Sequence, residues 1–307
     1  MIKSYKNTIQ QKKLKNATEF SDRSWLSVVE PTEKEIEKIS KQLNLPIDIL
    51  QDSLDRFELP RIEVEGENIV VILRSIVEEK GTYKTYPFTI ILNKKLLTTV
   101  SPVKNTLIDD FANQKINFYT TQQSNFLINL CLRLIHYYQK HIVVLNRKVQ
   151  KEKAQIEDID KSDVYSLVET EEILNNIIAS LTPTIHTIKK LLQYNYIHLY
   201  QEDKDLIDDV LVDGQQVLEL AITNLKTVKN VRDAYTTVMS IQLNQTMKLL
   251  TYITALFTIP MLISSIYGMN ISLPFADWPH AFLAISGLAL ALVFIAAFIF
   301  ISFRKKL

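Results

Sequence analysis

Residues 249–276 read LLTYITALFTIPMLISSIYGMNISLPFA and residues 281–303 read AFLAISGLALALVFIAAFIFISF; neither stretch holds a Lys, Arg, Asp or Glu. A helix needs about 20 apolar residues to cross a hydrocarbon core roughly 30 Å thick, so each stretch predicts one membrane span. Everything before Leu249 is rich in charge and reads as water-soluble. A large soluble body on a two-helix hairpin, with a neutral polar residue at the helix tip, points to transport or gating rather than to catalysis.

The averages of the chain conceal this division. Its 307 residues carry 35 Lys and Arg against 34 Asp and Glu, a net charge of +1. That balance gives no reason to expect nucleic acid as a partner. About 250 residues of soluble chain suffice for a substantial core. Cys131 is the single cysteine, so a disulfide within the chain is excluded. Its apolar helical surroundings predict a small buried hydrophobe in a reducing compartment. Residues 1–16 are basic and polar and lack the apolar segment of a signal peptide. Arg304-Lys305-Lys306 follows the second span, whereas residues 270–280 hold no Lys or Arg. By the positive-inside tendency, both termini are cytoplasmic and the loop is external. The expected location is a cell membrane.

Along the soluble part the two structural periods alternate at first. Residues 24–29 read as a strand, and Thr32 with Glu33 and Glu35 starts a helix that turns Ile36, Ile39 and Leu43 to one side. Residues 62–64 and 69–73 read as strands about a turn at Gly66-Glu67-Asn68, residues 88–92 follow a turn at Gly81, and 96–100 close the β-rich region. Residues 1–122 are thus an α/β domain, whose strand order periodicity does not reveal. Two long helical stretches follow at 123–155 and 163–196, within a helical segment 123–201. They are parted by an acidic break (Glu157, Asp158, Asp160, Asp163), which predicts an antiparallel pair, with Pro183 a place for a kink. A third helix starts near Glu202, and 202–248 forms a stalk that continues without a breaker into the first span, 249–269. Gly214 is its one weak point before Pro260. The external loop is 270–279, the second span 280–303, and the basic tail 304–307. Apolar stalk positions such as Leu206, Val210, Val217 and Val228 need neighbouring helices or other subunits to cover them, and two spans cannot enclose a hydrated path. Oligomerisation is expected.

On the first span Asn244, Met247, Thr251, Thr254, Thr258, Met261 and Ser265 recur at spacings of three and four, which puts them on one face. Threonine hydroxyls on a membrane helix either line a polar path or bond to their own helix carbonyls and pack. The end of the stripe favours a path: Gly268 can stop the helix, and Asn270 stands at the mouth. Around an axis, helix C-terminal ends gather partial negative charge and attract cations. A small divalent ion such as Mg²⁺ gives up water reluctantly, and a ring of amide oxygens can hold it with its water shell in place.

Tyr267-Gly268-Met269-Asn270 after one span, with a second span and a basic tail behind it, resembles the CorA family of magnesium channels. Asn244, Met247-Lys248, Leu250-Thr251 and Pro260 also fall where that family has its pore-helix residues. The resemblance is dense from about residue 244 onward and only architectural over the first 200. It implies a homopentamer in the lipid bilayer whose first spans line the pore. Gly268, Met269 and Asn270 would form the external selectivity filter, Asn244 a polar inner ring, and Met247 and Leu250 a hydrophobic constriction. It further implies that cytoplasmic Mg²⁺, the transported ion, is also a regulatory ligand that holds the channel shut. Asp205, Asp208 and Asp209, with Asp203 beside them, fit that role, and Asp209 lies at the family's stalk-carboxylate position. Lys248, Arg304, Lys305 and Lys306 match its basic girdle. The loop departs from the commoner family pattern in offering only Asp277 after the motif.

The expected function is passive Mg²⁺ transport driven by the membrane potential, worth about 4.6 kcal/mol for a divalent ion at ~100 mV, with Co²⁺ or Ni²⁺ as further ions. The alternatives are a Zn²⁺ transporter of the related ZntB group and a membrane-anchored scaffold. Enzymatic readings find no support. The five histidines, His136, His141, His186, His198 and His280, lack metal-ligand spacing, there is no phosphate-binding loop, and no covalent cofactor is implied.

Overall fold

The computed structural model describes residues 1–8, 14–154, 161–193, 196–197, 199–271, 273–274 and 278–304. The chain divides into two units, Met1–Arg232 and Asp233–Leu307. The first opens with strands β1 (Ile2–Lys6), β2 (Lys15–Asn16), β3 (Ser24–Val29), β4 (Arg61–Glu65), β5 (Asn68–Glu79), β6 (Thr82–Leu92) and β7 (Leu96–Ser101). Helices α1 (Glu33–Leu43) and α2 (Ile47–Asp52) lie between β3 and β4, and α3 (Thr106–Ala112) follows the last strand. Then come α4 (Gln123–Ala154), α5 (Lys161–Gln193) and α6 (Lys204–Tyr267), the last of which carries the chain into the second unit, where α7 (Ala281–Arg304) follows. The proposed acidic break at Glu157, Asp158 and Asp160, together with His198, Asp277, Lys305 and Lys306, lies outside the described residues.

The sheet runs β2-β1-β3-β7-β6-β5-β4. Only β3 and β7 pair in parallel; the other neighbours are antiparallel. A parallel pair needs a long crossover, and here the crossover is everything from α1 to β6. The β5–β6 hairpin closes through Lys80 and Gly81, with φ of +51° and +82°, the backbone that matches strand twist in a two-residue turn. Sequence reasoning found this turn but gave both strands too short. It missed β1, β2, α2 and α3.

Alternation along β3 explains why the sheet is covered on both sides. Leu26 and Val28 join Ile72, Ile91 and Val100 beneath Ile36, Ile39 and Leu43 of α1 and Leu50 of α2. The helix α1 is held at its start by Thr32 and Glu35, each side chain bonding the other's backbone N–H. Trp25 belongs to the opposite row: its Nε1 donates to Thr99 Oγ1 at 2.9 Å, and its ring packs edge-on against Phe111, Phe118 and Phe126. Cys131 is fully buried among these helices, and burial pushes its thiol up to about 12, so it is an inert packing residue.

Three helices of the first unit then run side by side. Asn125 on α4 bonds to Asp203, His136 to Asp213 and the Ile142 carbonyl to Asn224, so α4 and α6 share a direction. Arg232 and Lys229 of α6 reach Glu171 of α5, while Gly214 faces Ile185, so α5 runs the other way, through Pro183. A Cβ at Gly214 would stand 3.3 Å from Ile135 Cδ1 and 3.4 Å from Ile185 Cγ1. The glycine read as a weak point is where side chains of α4 and α5 both close on α6.

Sheet and helices are joined by polar contacts that periodicity cannot display. β4 ends before it can pair with Arg74, and the backbone groups of Arg74 go instead to Thr184 Oγ1 (3.2 Å) and the Tyr138 hydroxyl (3.0 Å). The Arg74 guanidinium donates to the carbonyls of Arg56, Glu58 and Thr85. Asp110 of α3, only 5% exposed, receives Lys115, Arg133 and Tyr137.

Burial alone would raise the Asp110 carboxyl, but hydrogen bonds from Lys115, Tyr137 and Arg133 outweigh it and hold the group at about 2, against an ordinary 3.8. The Asp110 contribution is therefore complete above its ordinary value and is lost as pH falls from there toward about 2. Asp110→Asn is expected to lower stability by about 2 kcal/mol at neutral pH. Thermal unfolding of the solubilised chain at stepped pH should show the gap between variant and wild type closing in that acid window.

Candidate functional site

In the second unit the long helix has two unlike sides. Tyr252, Ala255, Leu256, Ile259, Pro260 and Ile263 are partly covered, and they recur at helical spacing. On α7 the covered positions are Ala281, Ile285, Ser286, Ala289, Val293, Ala296, Ala297 and Phe300, largely small residues on one face. The Tyr252 and Phe300 rings stack at 4.7 Å. Small residues let membrane helices approach, so the hairpin uses this side for itself.

The polar stripe lies elsewhere. At 3.6 residues per turn its centre is roughly 150° around α6 from the covered face. Asn244, Met247, Leu250, Thr251, Thr254, Thr258, Met261 and Ser265 are all exposed; Met261 is 74% exposed. This chain leaves that side of the helix open along its length. Lys248 is exposed too, about 100° off the stripe. Arg304 is the last residue of α7.

Each of the three threonines settles its proton in the same way. Thr251 Oγ1 donates to the Met247 carbonyl at 2.8 Å, Thr254 to Leu250 at 2.9 Å and Thr258 to Thr254 at 2.8 Å. The packing alternative raised by the sequence is thus half realised: the hydroxyls bond their own helix, yet they stay exposed, with none of the described residues covering them.

The helix stops at Tyr267, where the Gly268 N–H closes on the Ser264 carbonyl at 2.9 Å and Met269 N–H on Ile266 at 3.3 Å. Later carbonyls have no such partner in the helix, and their partial negative charge faces the exposed Met269 and Asn270. The Tyr267 hydroxyl donates to the Pro274 carbonyl at 3.4 Å and draws the loop back over the helix end.

The acidic run on the first unit resolves into two roles. Asp203 is buried and serves as a clamp for the start of α6: it accepts from Tyr200 N–H and from Asn125 Nδ2, both at 3.2 Å. Asp205, Asp208 and Asp209 are exposed on one side of α6. Among the described residues no three His, Cys, Asp or Glu side chains converge to hold a metal. The sequence reading also missed the 3.0 Å pair of His136 Nε2 with Asp213, because 77 residues separate the partners. His141 faces another way, buried beside Tyr83; burial and Lys140 keep its ring below the usual histidine range. A cleft of about 1090 Å³ opens at the start of α4, where Arg23 and Lys94 stand among Glu67, Glu202 and Asp203, a lining of mixed sign.

Two described helices are long and apolar enough to cross a membrane. Residues 21–306 match the model of the family described as CorA-like Mg²⁺ transporter protein. Over 300 residues the chain is 26% identical to the cobalt/magnesium transport protein CorA of Methanocaldococcus jannaschii, covering 90% of this chain and 89% of that one. The complete structure of the CorA magnesium transporter from the same organism superposes with a TM-score of 0.83 at 23% identity, over 98% of this chain and 97% of the other. The ZntB cytoplasmic domain of Vibrio parahaemolyticus gives 0.62 at 13% identity, over 78% of this chain and 97% of that one. At such identities the structural likenesses speak to the fold.

Asp203→Ala is expected to loosen the start of α6 by about 1 kcal/mol, the usual worth of a helix cap. Asp205→Asn and Asp208→Asn, on exposed positions, should change stability by less than about 0.5 kcal/mol. Thermal unfolding of the three variants in metal-free buffer makes the comparison.

Proposed function

This chain belongs to the family of CorA-like Mg²⁺ transporter proteins, a family of transporters and not of enzymes, and from that premise we propose that it is a passive homopentameric Mg²⁺ channel. The observation that carries the reading is the open stripe from Asn244 to Ser265, which runs to an exposed Asn270 at a helix C-terminal end. Two helices cannot wrap that stripe, whereas copies set around an axis turn it into a lining. The lining then has amide, hydroxyl and thioether groups and no carboxylate or imidazole. Such neutral oxygens suit a divalent ion that keeps its water, whereas Zn²⁺ is bound tightly by His and Cys.

In this reading Gly268, Met269 and Asn270 form the outer filter, Asn244 an inner polar ring, and Met247 with Leu250 an apolar constriction that blocks ions by drying. Both termini are cytoplasmic, in a bacterial plasma membrane, with Lys248 and Arg304 near the inner surface. Cytoplasmic Mg²⁺ closes the channel by binding at Asp205, Asp208 and Asp209. Among the described residues of one chain they belong to no three-ligand set, so their ion draws further oxygens from water or a neighbouring copy. In this reading the carboxylates and the stripe are linked through α6, which is helical from Lys204 to Tyr267. The Methanocaldococcus jannaschii relative is named for cobalt as well as magnesium, which supports Co²⁺ as a second ion.

Purified protein in proteoliposomes with an inside-negative potential should take up Mg²⁺. Asn270→Ala should lower that uptake at least tenfold, the loss expected from a ring of several hydrogen bonds worth about 1 kcal/mol each, while leaving oligomer size unchanged. Zn²⁺ uptake that needs a proton gradient, with no Mg²⁺ uptake, would assign the protein to ZntB-like transport. Normal flux in Asn270→Ala would return the hairpin to a plain anchor. Asp209→Asn should keep the flux and demand more internal Mg²⁺ to stop it.

A further inference from the structure

We infer that the cleft at the start of α4 is a binding site for a nucleotide, a function separate from transport. It lies within the first unit and measures about 1090 Å³, comparable with the ~1,000 Å³ upper range of small-molecule pockets. Stretches far apart in sequence build it: the start of β3 at Arg23, the β6–β7 turn at Asn93 and Lys94, the entry to α4 at 120–125, and the α5–α6 connection with Tyr196 and Tyr200. Several of its polar groups are already matched. Lys94 Nζ meets Glu67 at 3.1 Å, and Asp203 receives Asn125 Nδ2 and the Tyr200 N–H, both at 3.2 Å. The Asn93 side chain is held by Asn68 and by the N–H groups of Lys95 and Leu96.

The groups left over decide the class of ligand. Among the described residues, the Arg23 guanidinium, the Glu202 carboxylate and the side-chain amides of Gln122, Gln123 and Gln201 have no hydrogen-bond or ionic partner. Beside them stand the rings of Tyr196 and of Tyr200, the latter 60% exposed, with Ile69, Leu92 and Leu127 as apolar walls. A nucleotide uses each of these. A planar guanidinium donates two parallel bonds to a phosphate. A side-chain amide both donates and accepts, as the edge of a nucleobase does, and an aromatic ring offers a face for the base to stack on. A carboxylate accepts from ribose hydroxyls. A simple anion would leave the amides and rings idle and face Glu202, while an apolar ligand would strand the amides without partners. Asp203, which holds the start of α6, lines the same cleft, so an occupant sits where the long helix begins.

The test is calorimetric titration of the full-length protein in detergent solution, which measures binding without flux and so stands apart from the channel reading. The probes are AMP, GMP, CMP and UMP, then the nucleoside of the best binder, ribose 5-phosphate and inorganic phosphate. At least one nucleotide should bind saturably, at least about tenfold tighter than its nucleoside, ribose 5-phosphate or phosphate alone. Arg23→Ala and Tyr200→Ala should each weaken it at least about tenfold, the worth of a charge-assisted pair and of a stacked base. Tyr200→Phe keeps the ring and should stay within about threefold of wild type. Lys148→Ala, on the exposed side of α4 outside the cleft, should leave binding unchanged. Absence of saturable binding by all four nucleotides would overturn the site. Affinity that Arg23→Ala and Tyr200→Ala leave intact would also overturn it, by placing the nucleotide elsewhere. So would phosphate binding as tight as the nucleotide, which would make the cleft an anion patch only. Should Tyr200→Ala fail to fold, Arg23→Ala and Gln122→Ala decide: weaker binding in both supports the site, and wild-type binding in both refutes it.

Discussion

A helix in hydrocarbon has no water to satisfy its backbone, so every polar group on it must find a partner within the protein or face a wet path. That constraint governs the second unit. The backbone of α6 closes on itself up to Gly268, and the threonine hydroxyls close on it too. What remains unmet is the outward side of those hydroxyls, with Asn244 below and Asn270 beyond them. The small-residue face of α7 and the Tyr252–Phe300 stack occupy the other side of α6. The polar side is left for something outside the chain, and the shared aqueous axis proposed above satisfies it without burying a charge.

The first unit supplies a different kind of constraint. Its sheet is covered on both faces, which fixes α4 and α5, and these in turn hold α6 at several separate levels: Asp203 at its start, Asp213 and Gly214 further along, and Arg232 at the unit's end. The ion pairs among these are partly exposed and each adds little by itself. Their value is positional. They fix the register of α6 against two helices that run in opposite directions.

Much of this was readable before any coordinates, because the signals were local. The capping box at Thr32 and Glu35, the turn at Lys80-Gly81 and the uncharged runs of the last sixty residues each depend on neighbours in sequence. The strand β1 was not readable: IKSYK, between β3 and the two-residue β2, buries only Ser4 among its five residues, so no apolar alternation marks it. Helices α2 and α3 are too short, at 6 and 7 residues, for a 3.6-residue period to declare itself. Four aspartates from 203 to 209 look equivalent on paper, yet one is a buried cap and three are exposed, because Asn125 and Tyr200 arrive at only one of them. The ladder hydrogen bonds that Tyr138 and Thr184 supply to Arg74 bridge 64 and 110 residues. No periodicity encodes such distances.

Gly214 has a mechanical consequence for the helix that contains it. Its missing side chain is what lets α6 lie against Ile135 and Ile185 at the same time. The residues on the same face one turn away are Val210, Leu211, Val217 and Leu218, so sliding α6 along its axis by a turn would drive a large side chain between two isoleucines. Translation is therefore blocked at this point. The missing side chain thus acts as a detent along the helix axis, keeping Asp213 level with His136.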